Sequence, residues 1–89
     1  DDQLAVKWFR RAAEQGYAGA QGALGYMYAE GKGVPKDYVL AYKWFNLATA
    51  QGDKDAAKAR DELATFMTPS QIQEAQKLSR NFKPKKENP

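Results

Sequence analysis

Apolar positions near the start of the chain recur in helical steps. Leu4, Ala5, Trp8 and Ala12 follow an i, i+1, i+4, i+8 pattern and form one stripe. The same stripe returns as Leu40, Ala41, Trp44 and Ala48. Alanine at two of the four positions lets a neighbouring helix approach closely, and tryptophan fills the space between turns. Gly16 and Gly52 stand where a left-handed residue ends each helix, and Asp37 stands where a side chain can cap the second copy.

The recurrence is a true repeat with an offset of 36 residues, and nine of the sixteen positions in residues 1 to 16 are identical to those in residues 37 to 52. The identities are Asp1/Asp37, Leu4/Leu40, Ala5/Ala41, Lys7/Lys43, Trp8/Trp44, Phe9/Phe45, Ala12/Ala48, Gln15/Gln51 and Gly16/Gly52. Both tryptophans are expected in the core, because each lies in a repeated apolar stripe. Between the copies, residues 18 to 30 predict a second type of helix with Ala20, Leu24 and Tyr28 on one face. A glycine inside a helix costs about 1 kcal/mol relative to alanine, so Gly25 marks a contact too tight for a methyl group. Gly31-Lys32-Gly33-Val34-Pro35 then breaks the chain until Asp37 restarts it.

One repeat later the pattern fades. Residues 54 to 67 predict another helix, yet Arg60 and Asp61 replace Leu24 and Gly25, and the glycine loop is gone. Thr68-Pro69-Ser70-Gln71 instead supplies a capping box that opens a last helix running to Phe82. Loss of the inter-repeat signature is expected at the terminal unit of a solenoid. The expected fold class is all-α, with five helices stacked as antiparallel pairs in an α-solenoid closed by a C-terminal capping helix. Residues 1–82 form the domain, divided into a half-repeat (1–16), a complete repeat (18–52) and a capping hairpin (54–82). Residues 83–89 are expected to be a disordered basic tail.

Composition narrows the chemistry. Cysteine and histidine are absent from all 89 residues, which excludes thiolate nucleophiles, imidazole bases, Cys/His zinc sites and disulfides. No catalytic residue, cofactor or metal is expected. Carboxylates such as Asp61 and Glu62 are adjacent on a helix and point apart, and capping explains Asp53. The net charge of +3, from 14 basic and 11 acidic side chains, lies largely in the tail at Lys83, Lys85 and Lys86. Those lysines offer a weak, salt-sensitive contact for anionic lipid or nucleic acid, but no specific nucleic-acid partner is expected. No apolar run reaches the roughly 18 residues of a membrane span.

In the order and spacing of Ala20, Leu24, Gly25, Tyr28, Gly31, Gly33, Val34, Asp37, Ala41, Trp44, Phe45, Ala48 and Gly52, the chain resembles the Sel-1-like repeat family, a relative of the tetratricopeptide repeats. The resemblance implies a right-handed superhelix whose first helices line a concave face for protein recognition, and an adaptor or scaffold role. It also implies that this chain is the C-terminal end of an array. Many bacterial relatives are similar to secreted or envelope-associated factors, so both envelope and cytoplasm stay open. Within that architecture Tyr26 and Glu30 turn toward the concave groove, and Gly22 either opens space for a partner side chain or serves helix crossing. Lys58 and Glu62 occupy the corresponding side of the next helix, where a solvated surface is the competing reading. A protein or peptide partner is expected on these five residues, with the exposed N-terminal helix offering a face for self-association.

Overall fold

The capping signals set where each helix begins. In the computed structural model, which describes residues 1–86, five helices follow in order: α1 (Asp2–Glu14), α2 (Ala18–Glu30), α3 (Tyr38–Ala50), α4 (Lys54–Ala64) and α5 (Pro69–Arg80). There is no strand among the described residues. Asp37 caps α3 by accepting the Leu40 amide at 3.0 Å, and Asp53 does the same for α4 from Ala56. At α5 the box closes in both directions: Thr68 accepts from Gln71, and the Gln71 side chain accepts from the Thr68 amide at 2.9 Å. Each such cap contributes about 1 kcal/mol by satisfying amides that have no partner inside the helix.

Helix α3 is the hub of the molecule, packing against α2, α4 and α5, whereas α1 rests chiefly on α2. The buried residues of α3 are Ala41, Tyr42, Trp44, Phe45 and Ala48, so nearly its whole circumference is covered. Phe45 enters a cradle at Gly25 of α2, where a Cβ would come within 2.7 Å of the ring. The sequence expectation of a contact too tight for a methyl group is met, and the partner is Phe45. Burying such a ring contributes about 2–3 kcal/mol. Gly33, at a φ of 73°, brings the α2–α3 loop onto the first turn of α1, where any side chain would strike the Asp2 carbonyl.

Two expectations are corrected. The α1 stripe is not buried: its buried residues are Val6 and Ala13, while Trp8 is 54% exposed and Leu4 is exposed as well. Only the face of α1 turned to α2 finds a neighbour among the described residues. The last helix does not pair lengthwise with α4 in a hairpin, because it lies principally on α3, where Ala75 is buried and the Ser79 hydroxyl reaches the Lys43 carbonyl at 3.4 Å.

Residues 83–86 are also not a free tail. Phe82 meets Trp44 edge-on at 5.6 Å between ring centroids. Beyond it Pro84 lies over Gly16, the Lys85 amide donates to the Glu14 carbonyl at 2.7 Å, and the Lys85 ammonium stands 3.6 Å from the Glu14 carboxylate. Residues 87–89, the rest of the expected tail, lie outside the described residues.

Candidate functional site

A cleft of about 570 Å³ opens between α2 and α4, floored by α3. From α2 come Tyr26 and Ala29. The floor is Phe45 and Tyr38, with Tyr26 stacked edge-to-face on Phe45 at 4.9 Å. Helix α4 and the turn after it form the second wall, where Asp55, Lys58 and Glu62 line the rim and Phe66 closes one end, 75% exposed and 6.5 Å from the Tyr38 ring. No ion pair joins Asp55, Lys58 or Glu62 to another group among the described residues.

Of the five site residues expected from sequence, the structure brings Tyr26, Lys58 and Glu62 together in this cleft. The other two are corrected. Gly22 is buried and does not line the cleft; an added Cβ would stand 3.6 Å from the Asp53 carboxylate, an ordinary contact. Glu30 lies at the end of α2, paired with Lys32 at 3.5 Å and away from the cleft. Tyr26 and Glu62 share a register and both line the cleft, whereas Glu30, the last residue of α2, turns to Lys32 instead. Adding the 36-residue offset to Gly22, Tyr26 and Glu30 gives Lys58, Glu62 and Phe66, all three of which line the cleft from α4. Phe66 was therefore within reach of the repeat arithmetic. Tyr38 and Asp55 carried no signal that distinguishes them from a helix start and a first-turn carboxylate.

Chemically the cleft combines aromatic surface with mixed charge on one wall. No group of three or more Asp, Glu, His or Cys is clustered to hold a metal among the described residues. The one perturbed amine lies on another face of α3: Lys43 sits 4.4 Å from the Trp44 ring, and burial pushes its pKa below the usual lysine value, partly opposed by Glu14.

The repeat architecture has known counterparts. The model of the Sel1 repeat matches residues 1–17 and 18–53. The chain is a Sel1 repeat protein. The crystal structure of a protective antigen from uropathogenic Escherichia coli displaying an SLR fold superposes with a TM-score of 0.87 and 38% identity, covering 92% of this chain and 18% of that one. A chitin synthase regulator of Saccharomyces cerevisiae is 41% identical over 56 residues, 63% of this chain and 8% of the yeast protein. An exopolysaccharide production negative regulator of Rhizobium leguminosarum bv. viciae is 44% identical over 48 residues, 54% of this chain and 18% of that protein. The Sel1 chain thus spans less than a fifth of each of these three. Sel1 repeat proteins are a class of non-enzymatic protein-interaction scaffolds. No helix among the described residues is long and apolar enough to cross a membrane.

Proposed function

We propose that this chain holds a segment of a partner protein in the α2–α4 cleft and has no catalytic role. The observation that carries the reading is the placement of Tyr26 and Phe66. Both are large, exposed aromatic side chains, and they stand on opposite sides of one concave opening whose floor is also aromatic. Exposed apolar surface gathered in a concavity is the usual mark of a binding groove. The yeast and Rhizobium relatives are named as regulators of polysaccharide production, which suits a module that holds a regulated protein. The test is a pull-down with the parent protein, followed by rebinding of the purified partner to the 89-residue chain and to a Tyr26→Ala/Phe66→Ala variant. Loss of at least about tenfold in affinity, about 1.4 kcal/mol and less than one aromatic hot spot, is the expected result; unchanged affinity removes the cleft from consideration.

A second reading rests on Leu4, Trp8 and Phe9, which leave an apolar face of α1 exposed and suit self-association. Sedimentation at high concentration tests it: the chain should dimerise and a Trp8→Glu variant should not, and a monomer throughout would end the idea. The tail as a contact for anionic lipid or nucleic acid gains less support, since Lys85 is already engaged with Glu14.

A further inference from the structure

We propose that the segment held in the cleft is a polyproline-type stretch carrying two basic residues three positions apart, a deepening that rests on the cleft being the binding site. Three observations converge on this chemistry. The first is charge. Asp55 and Glu62 line the rim with no cation paired to either, and Lys58 stands between them on the same wall. Cations on a partner are therefore welcome at the two ends and repelled in the middle.

The second is spacing. Seven residues separate Asp55 from Glu62, about 10.5 Å along the axis of α4 at about 1.5 Å per residue. A polyproline helix has three residues per turn and rises about 3.1 Å per residue, so positions i and i+3 lie on one edge about 9 Å apart. The difference is well within the reach of arginine and glutamate side chains. A β-strand fits less closely, because its same-face positions lie about 6.7 Å (i, i+2) or about 13.4 Å (i, i+4) apart. An α-helical partner matches the spacing at i and i+7 but fits the space less well. A helix about 10 Å across with its side chains seats only one face in an open cleft of about 570 Å³, so it reaches the aromatic floor less fully than a slimmer extended chain. The third observation is the lining. Tyr26, Tyr38 and Phe66 offer ring faces and edges of the kind on which proline rings dock in aromatic grooves. The two residues between the basic positions meet these rings, and neither carries positive charge because of Lys58.

The experiment uses fluorescence anisotropy of fluorescein-labelled peptides with the 89-residue chain at low salt. The probe is Pro-Arg-Pro-Leu-Arg-Pro-Pro. The comparison peptides replace both arginines by glutamate, move the second arginine one position closer, or place two arginines seven apart in an alanine-rich helix. The arginine i, i+3 peptide should bind at least about tenfold more tightly than each of the others, and a Glu62→Lys variant should lose that preference and gain affinity for the glutamate peptide. Asp55 and Glu62 are exposed, so circular dichroism of the Asp55→Lys and Glu62→Lys variants should match the parent and exclude misfolding. Equal binding of the arginine and glutamate peptides, tighter binding of the helical peptide, or no detectable binding of any peptide overturns the proposal. If a purified partner still loses affinity on Tyr26→Ala/Phe66→Ala while the arginine peptide fails, the cleft stands and only this ligand chemistry falls.

Discussion

Helices α1 and α3 carry the same residues in the same register and use them differently. Trp44 is 5% exposed and Trp8 54%; Phe45 is 1% exposed and Phe9 37%. Gln51 donates to the Gly16 carbonyl at 2.7 Å and to Gln21 Oε1 at 2.9 Å, while Gln15 reaches only the Arg11 carbonyl in its own helix at 3.3 Å. Three of the repeated residues of α3 reach backward, toward α1 and α2, while Ala41 and Ala48 pack in the cluster shared with α4 and α5. Trp44 joins Val6, Ala13 and Leu24 in one cluster, Phe45 enters the Gly25 cradle, and Gln51 ties the turn after α3 to the turn after α1. No described element stands in the corresponding place beside α1. Trp44, Phe45 and Gln51 thus form an interface with the preceding helices, whereas Trp8, Phe9 and Gln15 find no such surface among the described residues.

The contrast makes graded predictions. Trp44→Ala and Phe45→Ala should each destabilise by about 3–5 kcal/mol, as deletion of a buried aromatic does, whereas Trp8→Ala should cost less than about 1 kcal/mol. Urea unfolding followed by circular dichroism measures all three. Comparable losses at Trp8 and Trp44 would break the comparison. Next in size is Gly25→Ala. The added methyl meets the Phe45 ring at 2.7 Å, so the ring or α2 must shift, and overpacking should cost about 1–3 kcal/mol. Combining it with Phe45→Leu should cost less than the sum of the two single changes.

The glutamine pair gives a smaller contrast. Gln21 is 1% exposed, donates to the Ala13 carbonyl at 3.2 Å and accepts from Gln51. Gln51→Ala leaves that acceptor without its partner and should cost about 1–2 kcal/mol, while Gln15→Ala should change the midpoint very little. The smallest effects are electrostatic. Lys85→Ala removes a largely exposed pair with Glu14 and should cost no more than about 0.5 kcal/mol, disappearing in high salt.

At Lys43 the sign is opposite to that of a stabilising pair. Its folded pKa lies below the unfolded one, so between the two the unfolded chain binds more protons and this group's contribution to stability rises with pH. Below the folded pKa its cost is constant. A Lys43→Met variant should lose that alkaline rise relative to the parent in parallel urea titrations at graded pH.

Local residue patterns set the helices and the joints between them. The 36-residue period, the caps at Asp37 and Thr68, the turn glycines and the tight site at Gly25 were all legible, because each depends on neighbours a few residues away or on a motif that recurs. Tyr26, Lys58 and Glu62 could be assigned to the cleft on the same register logic. Which copy of a repeated residue is covered, and which residues of a helix face the groove, depends instead on packing between distant segments. Trp8 and Trp44 stand in the same Lys-Trp-Phe triplet, yet burial requires a second surface, and α3 packs against α2, α4 and α5 whereas α1 rests chiefly on α2. Glu30 and Phe66 share a register, yet Phe66 lines the cleft while Glu30 pairs with Lys32 beyond the end of its helix. The capping segment shows the same limit: nothing local in Phe82, Pro84 or Lys85 foretold their docking against Trp44, Gly16 and Glu14, because those partners are more than thirty residues away in the chain.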